Sequence, residues 1–164
     1  MNRTVDRGGV PVPVRPFCLA DTPATVALLS EMQAHYGVPC PAAEEIAAAL
    51  ADLPPGNGIL LAEIGASLAG FAGWSLQWPG PGLKRGLFLK ELYVASTCRG
   101  MGVGRALMAG LARLALHHGA TRLDFTADAT NARLLAFYVR LGAAPDGRRF
   151  HRIGGGALSA LAAS

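Results

Sequence analysis

Charge is scarce in this 164-residue chain: 16% of residues are Asp, Glu, Lys or Arg, against 51% that are hydrophobic. That balance excludes a self-repelling disordered polypeptide and leaves a globular one. Long apolar runs are also missing. The stretch 106–116 is interrupted by Arg113 and is too short to span a bilayer, so no membrane association is expected. Residues 1–7 lack the apolar centre of a secretory signal, which makes the cytoplasm the expected compartment. Cysteine is sparse, with Cys18, Cys40 and Cys98 scattered and none in a C-x-x-C pair. Neither a disulfide framework nor a metal site is expected from them. Cys98 has no histidine near it in sequence and reads as a small filler residue. The net charge is only +4, and the basic residues are dispersed, without a basic stripe interleaved with aromatics. Nucleic acid is therefore not an expected partner.

Glycine is plentiful, and its most informative cluster is Arg99-Gly100-Met101-Gly102-Val103-Gly104-Arg105. The cluster lies between a strand-like apolar run at 87–94 and a helix-like run at 103–118. Glycines at alternate positions leave backbone uncovered, and a helix start presents N–H groups with no partner inside the helix. Arginine charge and the positive end of a helix dipole converge there, which suits a diphosphate. A dinucleotide fingerprint would need a third glycine where Arg105 stands, and a P-loop would need a Gly-Lys-Ser/Thr ending that is missing. The pattern [Arg/Gln]-x-x-Gly-x-[Gly/Ala] is matched by Arg99, Gly102 and Gly104. A plain glycine-rich turn joining strand to helix is the alternative.

Around this loop the periodicities predict a mixed α/β chain. Residues 10–17 read as an extended edge segment, because its prolines cannot donate to a ladder. Asp21-Thr22-Pro23 opens a helix with a capping side chain, and Val26, Leu29, Met32 and Tyr36 follow at helical spacing. A second helix is expected over 42–53, then strands at 59–64 and 68–78 joined as a hairpin through Gly65-Ala66. A central strand covers 86–94, and Val103, Leu107, Leu111 and Leu114 mark one face of the next helix. A strand at 122–126, a helix at 131–141, a strand at 149–153 and a flexible tail at 154–164 complete the order β-α-α-β-β-β-α-β-α-β. One domain over 1–164 is expected, with a loose arm at 1–9.

Downstream of the loop come Asn131, then Phe137-Tyr138, then Leu141-Gly142-Ala143, and upstream stands Leu92-Tyr93-Val94. Together with Arg99, Gly102 and Gly104, this series resembles the GNAT superfamily of N-acetyltransferases over residues 15–153. The segments 69–74, 89–94 and 28–32, with Arg15-Pro16, are most similar to its diamine and polyamine subgroup. Thr130 stands where that subgroup usually has tryptophan before the asparagine. The resemblance implies a mixed, mostly antiparallel sheet with helices on both faces and acetyl-coenzyme A as cofactor. Its binding residues would be Leu92, Tyr93, Val94, Arg99, Gly100, Met101, Gly102, Val103, Gly104, Arg105, Asn131, Phe137 and Tyr138.

The implied reaction is direct acetyl transfer to a primary amine of a small molecule, with no metal and no acetylated enzyme. A backbone N–H at Val94 would polarise the thioester carbonyl, and Tyr138 would protonate the leaving sulfur. Asn131 would contact the cofactor's amides or cap its own helix. An alkylamine of pKa near 10.4 is neutral in only about one molecule in two thousand at pH 7, so a proton acceptor matters. Glu91 and Glu31 are the candidates for taking the proton through water or holding the ammonium, with Glu91 the catalytic one. Glu31, Glu91 and Trp74 are the candidate acceptor-binding residues, with His35, Tyr36 and Trp78 as further lining. The alternatives are a peptide or protein N-terminal or lysine acetyltransferase, a non-catalytic acyl-coenzyme A sensor, and a nucleotide-binding module. The apolar tail residues Ala157, Leu158 and Leu161 are compatible with a homodimer.

Overall fold

The computed structural model of the chain describes residues 11–164; the arm expected over 1–9 lies outside them. Among the described residues, β1 (Val14–Pro16), β2 (Asn57–Ile64), β3 (Ser67–Gln77), β4 (Arg85–Val94) and β5 (Ala120–Phe125) form one sheet in that order. Pairing is antiparallel from β1 to β4 and parallel between β4 and β5. The parallel step needs a crossover, supplied by α3 (Val103–His117). Two helices, α1 (Thr22–Tyr36) and α2 (Ala43–Ala51), precede β2, while α4 (Ala132–Arg140) and α5 (Gly156–Ala162) follow β5. Two compact units divide the chain, one ending at Phe125 and one running Thr126–Ser164. No helix among the described residues is long and apolar enough to cross a membrane.

Strand alternation sorts the first unit's core into two layers. Leu60 lies against Gly110 of α3, and Gly70 faces Val103 and Leu107 of the same helix. The neighbouring residues Leu61 and Phe71 point the other way, into a cluster with Leu28 and Met32 of α1 and with Tyr93. Leu61, Leu87, Leu107 and Leu111 are fully buried, each worth about 1.5–3 kcal/mol in transfer terms. Helices thus cover both faces of a mostly antiparallel sheet, as the sequence predicts.

Several local expectations change. The buried face of α1 is Thr25, Leu28 and Met32, one position round from the predicted Val26–Leu29 stripe, and Tyr36 is exposed. Asp21 does not cap α1 with its side chain. Its carboxylate instead accepts from both Arg15 terminal nitrogens at 2.7 Å and from Cys18 N at 2.8 Å. The helix ends as expected at Gly37, whose φ of 65° is left-handed. Residues 149–153 form no strand. Their only apolar side chains, Phe150 and Ile153, stand three apart rather than two, so they cannot share a strand face, and both are exposed. The segment read as a flexible tail contains the helix α5, consistent with its Ala and Leu content.

Candidate active site

The glycine cluster leaves β4 through a short helical turn at Ser96–Cys98 and enters α3 at Val103. Gly100 and Gly102 hold φ of 81° and 82°, and a Cβ at either would meet nothing within 4 Å. Glycine is therefore required by backbone conformation rather than crowding. Ala106 N bonds Gly102 O at 3.0 Å, so the N–H groups of Val103, Gly104 and Arg105 precede the first intrahelical bond. No acidic side chain occupies the first turn of α3, so its positive end is not offset from within that turn. Arg99 and Arg105 are both exposed beside it. Arg99 Nε donates to Val94 O at 3.3 Å, and its guanidinium lies 5.7 Å from the Tyr93 ring centroid. These features fit a diphosphate.

A second feature is the parting of β4 from β5. Their register runs from Arg85↔Ala120 to Leu89↔Phe125, where β5 ends. β4 continues to Val94 alongside β3. Ala95 N bonds Ala69 O at 2.9 Å, which makes that a hydrogen-bonded antiparallel pair. By alternation, Leu92 and Val94 aim their N–H groups away from β3, at the edge β5 has left. This is the edge that an acyl-pantetheine arm would need.

The register also shifts between Gly73↔Glu91 and Trp74↔Leu89, leaving Lys90 as the extra residue of a bulge in β4. Bulges re-aim side chains, and here the next residue, Glu91, accepts a hydrogen bond from the Tyr36 hydroxyl at 3.0 Å. The His35 ring lies tilted against those of Tyr36 and Tyr93, with centroids 5.4 and 5.9 Å away. The last turn of α1 thus brings the Tyr36 hydroxyl to the Glu91 carboxylate, with the His35 ring against that of Tyr36.

Glu31 is also on α1, but it faces the strand end. Its Oε1 accepts from Ser96 N at 2.8 Å and from the Tyr93 hydroxyl at 3.0 Å. Donation by the Ser96 N–H, more than any other contact, holds the Glu31 carboxyl below its ordinary pKa. Burial, then the bond to Glu31, pushes the Tyr93 phenol up. A carboxylate so held is a poor proton acceptor.

Trp74 is not brought to this group. Its indole covers Gly58 on β2 and lies 5.8 Å from the His118 ring at the end of α3. Gly58 shares the face of Leu60, so Trp74 belongs to the α3 side of the sheet and Glu91 and Tyr36 to the α1 side. Alternation separates residues that the sequence reading groups together. Trp78, the other tryptophan, is exposed, with Nε1 bonded to Leu83 O at 3.2 Å. Cys98 packs against the Leu28–Phe71 cluster, as a filler would.

In the second unit, Asn131 caps α4, its side-chain oxygen accepting from Leu134 N at 3.0 Å. Phe137 and Tyr138 follow on α4, ring centroids 5.1 Å apart, and Tyr138 is buried. Sequence reasoning placed Tyr36 among the acceptor-site lining without its bond to Glu91, and had no signal for Ser96, whose main contact with Glu31 is made by its backbone N–H.

The fold has close counterparts among solved structures. An integron cassette protein from the mobile metagenome of V. cholerae is 28% identical, with a TM-score of 0.82 over 95% of this chain and 100% of that one. A ribosomal-protein-alanine N-acetyltransferase from Brucella melitensis biovar Abortus 2308 is 21% identical, TM-score 0.72, covering 88% and 100%. An aminoglycoside acetyltransferase from an uncultured soil metagenomic sample is 15% identical, TM-score 0.73, covering 88% and 95%. No curated protein matches the sequence significantly. The acetyltransferase (GNAT) family profile matches residues 25–143, across both the glycine loop and the Asn131–Tyr138 segment. The chain belongs to the acetyltransferase (GNAT) family.

Proposed function

We propose that the protein transfers the acetyl group of acetyl-coenzyme A to a primary amine of a small molecule, of the diamine or polyamine kind. The observation that carries this reading is the Glu91 carboxylate, set by a strand bulge and held by Tyr36, on the strand whose far edge is unpaired beyond Leu89. A carboxylate with an aromatic ring beside it suits an ammonium group.

When bound, acetyl-coenzyme A supplies an electrophilic thioester carbonyl and a thiol leaving group. Backbone N–H groups of 102–105 and the Arg99 and Arg105 guanidinium groups would hold its diphosphate. The N–H groups of Leu92 and Val94 would align the pantetheine arm and donate to the carbonyl oxygen. Glu91 first binds the ammonium and takes its proton, directly or through water. At pH 7 that deprotonation amounts to roughly 4–5 kcal/mol for an alkylamine. The neutral amine nitrogen would then be placed to attack the acetyl carbon, with the coenzyme A thiol as the leaving group. The family resemblance gives Tyr138 the role of protonating the departing sulfur. Thiol and phenol have reference pKa values of about 8.5 and 10, so its help is modest.

The test is thiol release from acetyl-coenzyme A with a panel of diamines and polyamines beside a panel of peptides with free N-termini and lysines. Turnover confined to the amines supports the reading. Turnover confined to peptides moves the chain to the protein acetyltransferases, and tight acetyl-coenzyme A binding without turnover on either panel makes it a sensor.

A further inference from the structure

Glu31 occupies the inner side of α1, yet both donors to its Oε1 belong to the segment that runs into the glycine loop. Ser96 N–H, at 2.8 Å, begins the turn after β4, and the Tyr93 hydroxyl, at 3.0 Å, comes from the last residues of β4 itself. Arg99, at the far end of the same turn, folds back over the Tyr93 ring and onto Val94 O. Tyr93 is buried within the α1-side core, so the carboxylate ties the turn to a rigid part of the molecule.

We infer that Glu31 is a positioning residue for the diphosphate loop, fixing the Ser96–Cys98 turn and so the approach of the Gly100–Gly104 backbone, and is not a ligand of the acceptor amine. This rests on the reading of that loop as the coenzyme A site. The physical logic is preorganisation: a turn already held by a charged acceptor does not have to be ordered when the ligand arrives. Glu31 is ionised at neutral pH, as any glutamate of ordinary pKa is, and the bonds from the turn favour that charged form further.

Two variants remove the same bond from opposite ends. Glu31→Ala deletes the acceptor. Ser96→Pro deletes the N–H donor together with the Ser96 hydroxyl, the lesser of the two Ser96 contacts with Glu31, and leaves the Tyr93 bond in place; the backbone accepts it, because Ser96 opens the turn, where proline is favoured, and the preceding Ala95 has the extended ψ of 138° that proline requires. Titration calorimetry with coenzyme A is expected to show about tenfold weaker binding for each, as for one hydrogen bond to a charged group, and no further loss in the double variant. The KM for S-acetylpantetheine, which lacks the diphosphate, should stay as in the parent. So should the amine KM at saturating acetyl-coenzyme A.

Undiminished coenzyme A affinity in Ser96→Pro overturns the inference, whether or not Glu31→Ala folds. So does a Glu31→Ala enzyme whose amine KM rises while coenzyme A binding holds. A parent protein that fails to bind coenzyme A at all defeats the loop reading itself, an outcome separable from both.

Discussion

The Tyr36 hydroxyl donates to Glu91 Oε1 across 3.0 Å, joining the last turn of α1 to the bulge in β4. Glu91 therefore arrives at the unpaired end of β4 with one oxygen already oriented. Tyr36→Phe keeps the ring and loses the donor. A threefold to tenfold fall in kcat/KM for the amine is expected, about the worth of one partly exposed hydrogen bond to a carboxylate. Coenzyme A affinity should be unchanged in calorimetry.

Replacing Glu91 itself is more severe. Glu91→Gln keeps the size and the Tyr36 contact but cannot take a proton. A loss of about a hundredfold in kcat/KM at pH 7 is expected, the low end of general-base contributions. The sign of its pH dependence is fixed by the amine. As pH rises toward about 10, free amine becomes abundant without help, so the variant should close on the parent. A deficit constant from pH 7 to 10 would mean that Glu91 does something other than accept a proton.

Gly102 tests the loop. Its φ of 82° is left-handed and a Cβ there has room, so only backbone strain penalises a side chain. Gly102→Val should weaken coenzyme A at least fivefold, from roughly 1–2 kcal/mol of strain that the loop relieves by leaving the binding conformation. Gly102→Asn, which tolerates the left-handed region, should retain most of the affinity. Equal losses in both variants would point to crowding by the ligand instead of strain.

The loop, the strand before it and the Asn131-to-Tyr138 series were legible in the sequence, because glycine spacing and helical caps are local signals. The two-layer sorting of side chains was partly legible through alternation. What could not be read was which face a residue joins when partners come from distant elements. Trp74 and Glu91 look like neighbours on adjacent strands, yet pleat parity puts them on opposite sides. The bulge at Lys90 depends on β3 pairing, and the Ser96–Glu31 bond spans 65 residues. The strand expected at 149–153 does not form, because its two apolar residues stand three apart and cannot share a strand face.

The acid limb of stability follows from two carboxylates. Glu31 and Asp21 both have folded pKa values below their ordinary ones, Glu31 through Ser96 N–H and Asp21 through the Arg15 guanidinium. A depressed folded pKa stabilises the native state above the unfolded value and loses that contribution as pH falls through the folded one. The contribution of these two groups should thus be constant from about pH 5 to neutrality, and Tm should decline steadily below pH 4. Glu31→Gln and Asp21→Asn should each lower Tm at pH 7 and make the decline below pH 4 shallower. Parallel curves for parent and variants would remove these two groups from the acid response.

Trp74 is expected to serve packing rather than acceptor binding, and Gly58 supplies the means to show it. A Cβ on Gly58 would come within 2.5 Å of the Trp74 ring, a contact that neither a central strand nor an indole can absorb without shifting. Gly58→Ala should cost about 1–3 kcal/mol as an overpacking substitution, and Trp74→Ala roughly 2–4 kcal/mol through the space it leaves. If the indole is what the new methyl meets, the double variant should be less destabilised than the two single costs combined. The amine KM should be unaffected by Trp74→Ala, since the side chain lies on the α3 face, across the sheet from Glu91. A strongly raised amine KM with little change in Tm would return Trp74 to the acceptor site and mean that the sheet's two faces had been assigned the wrong way round.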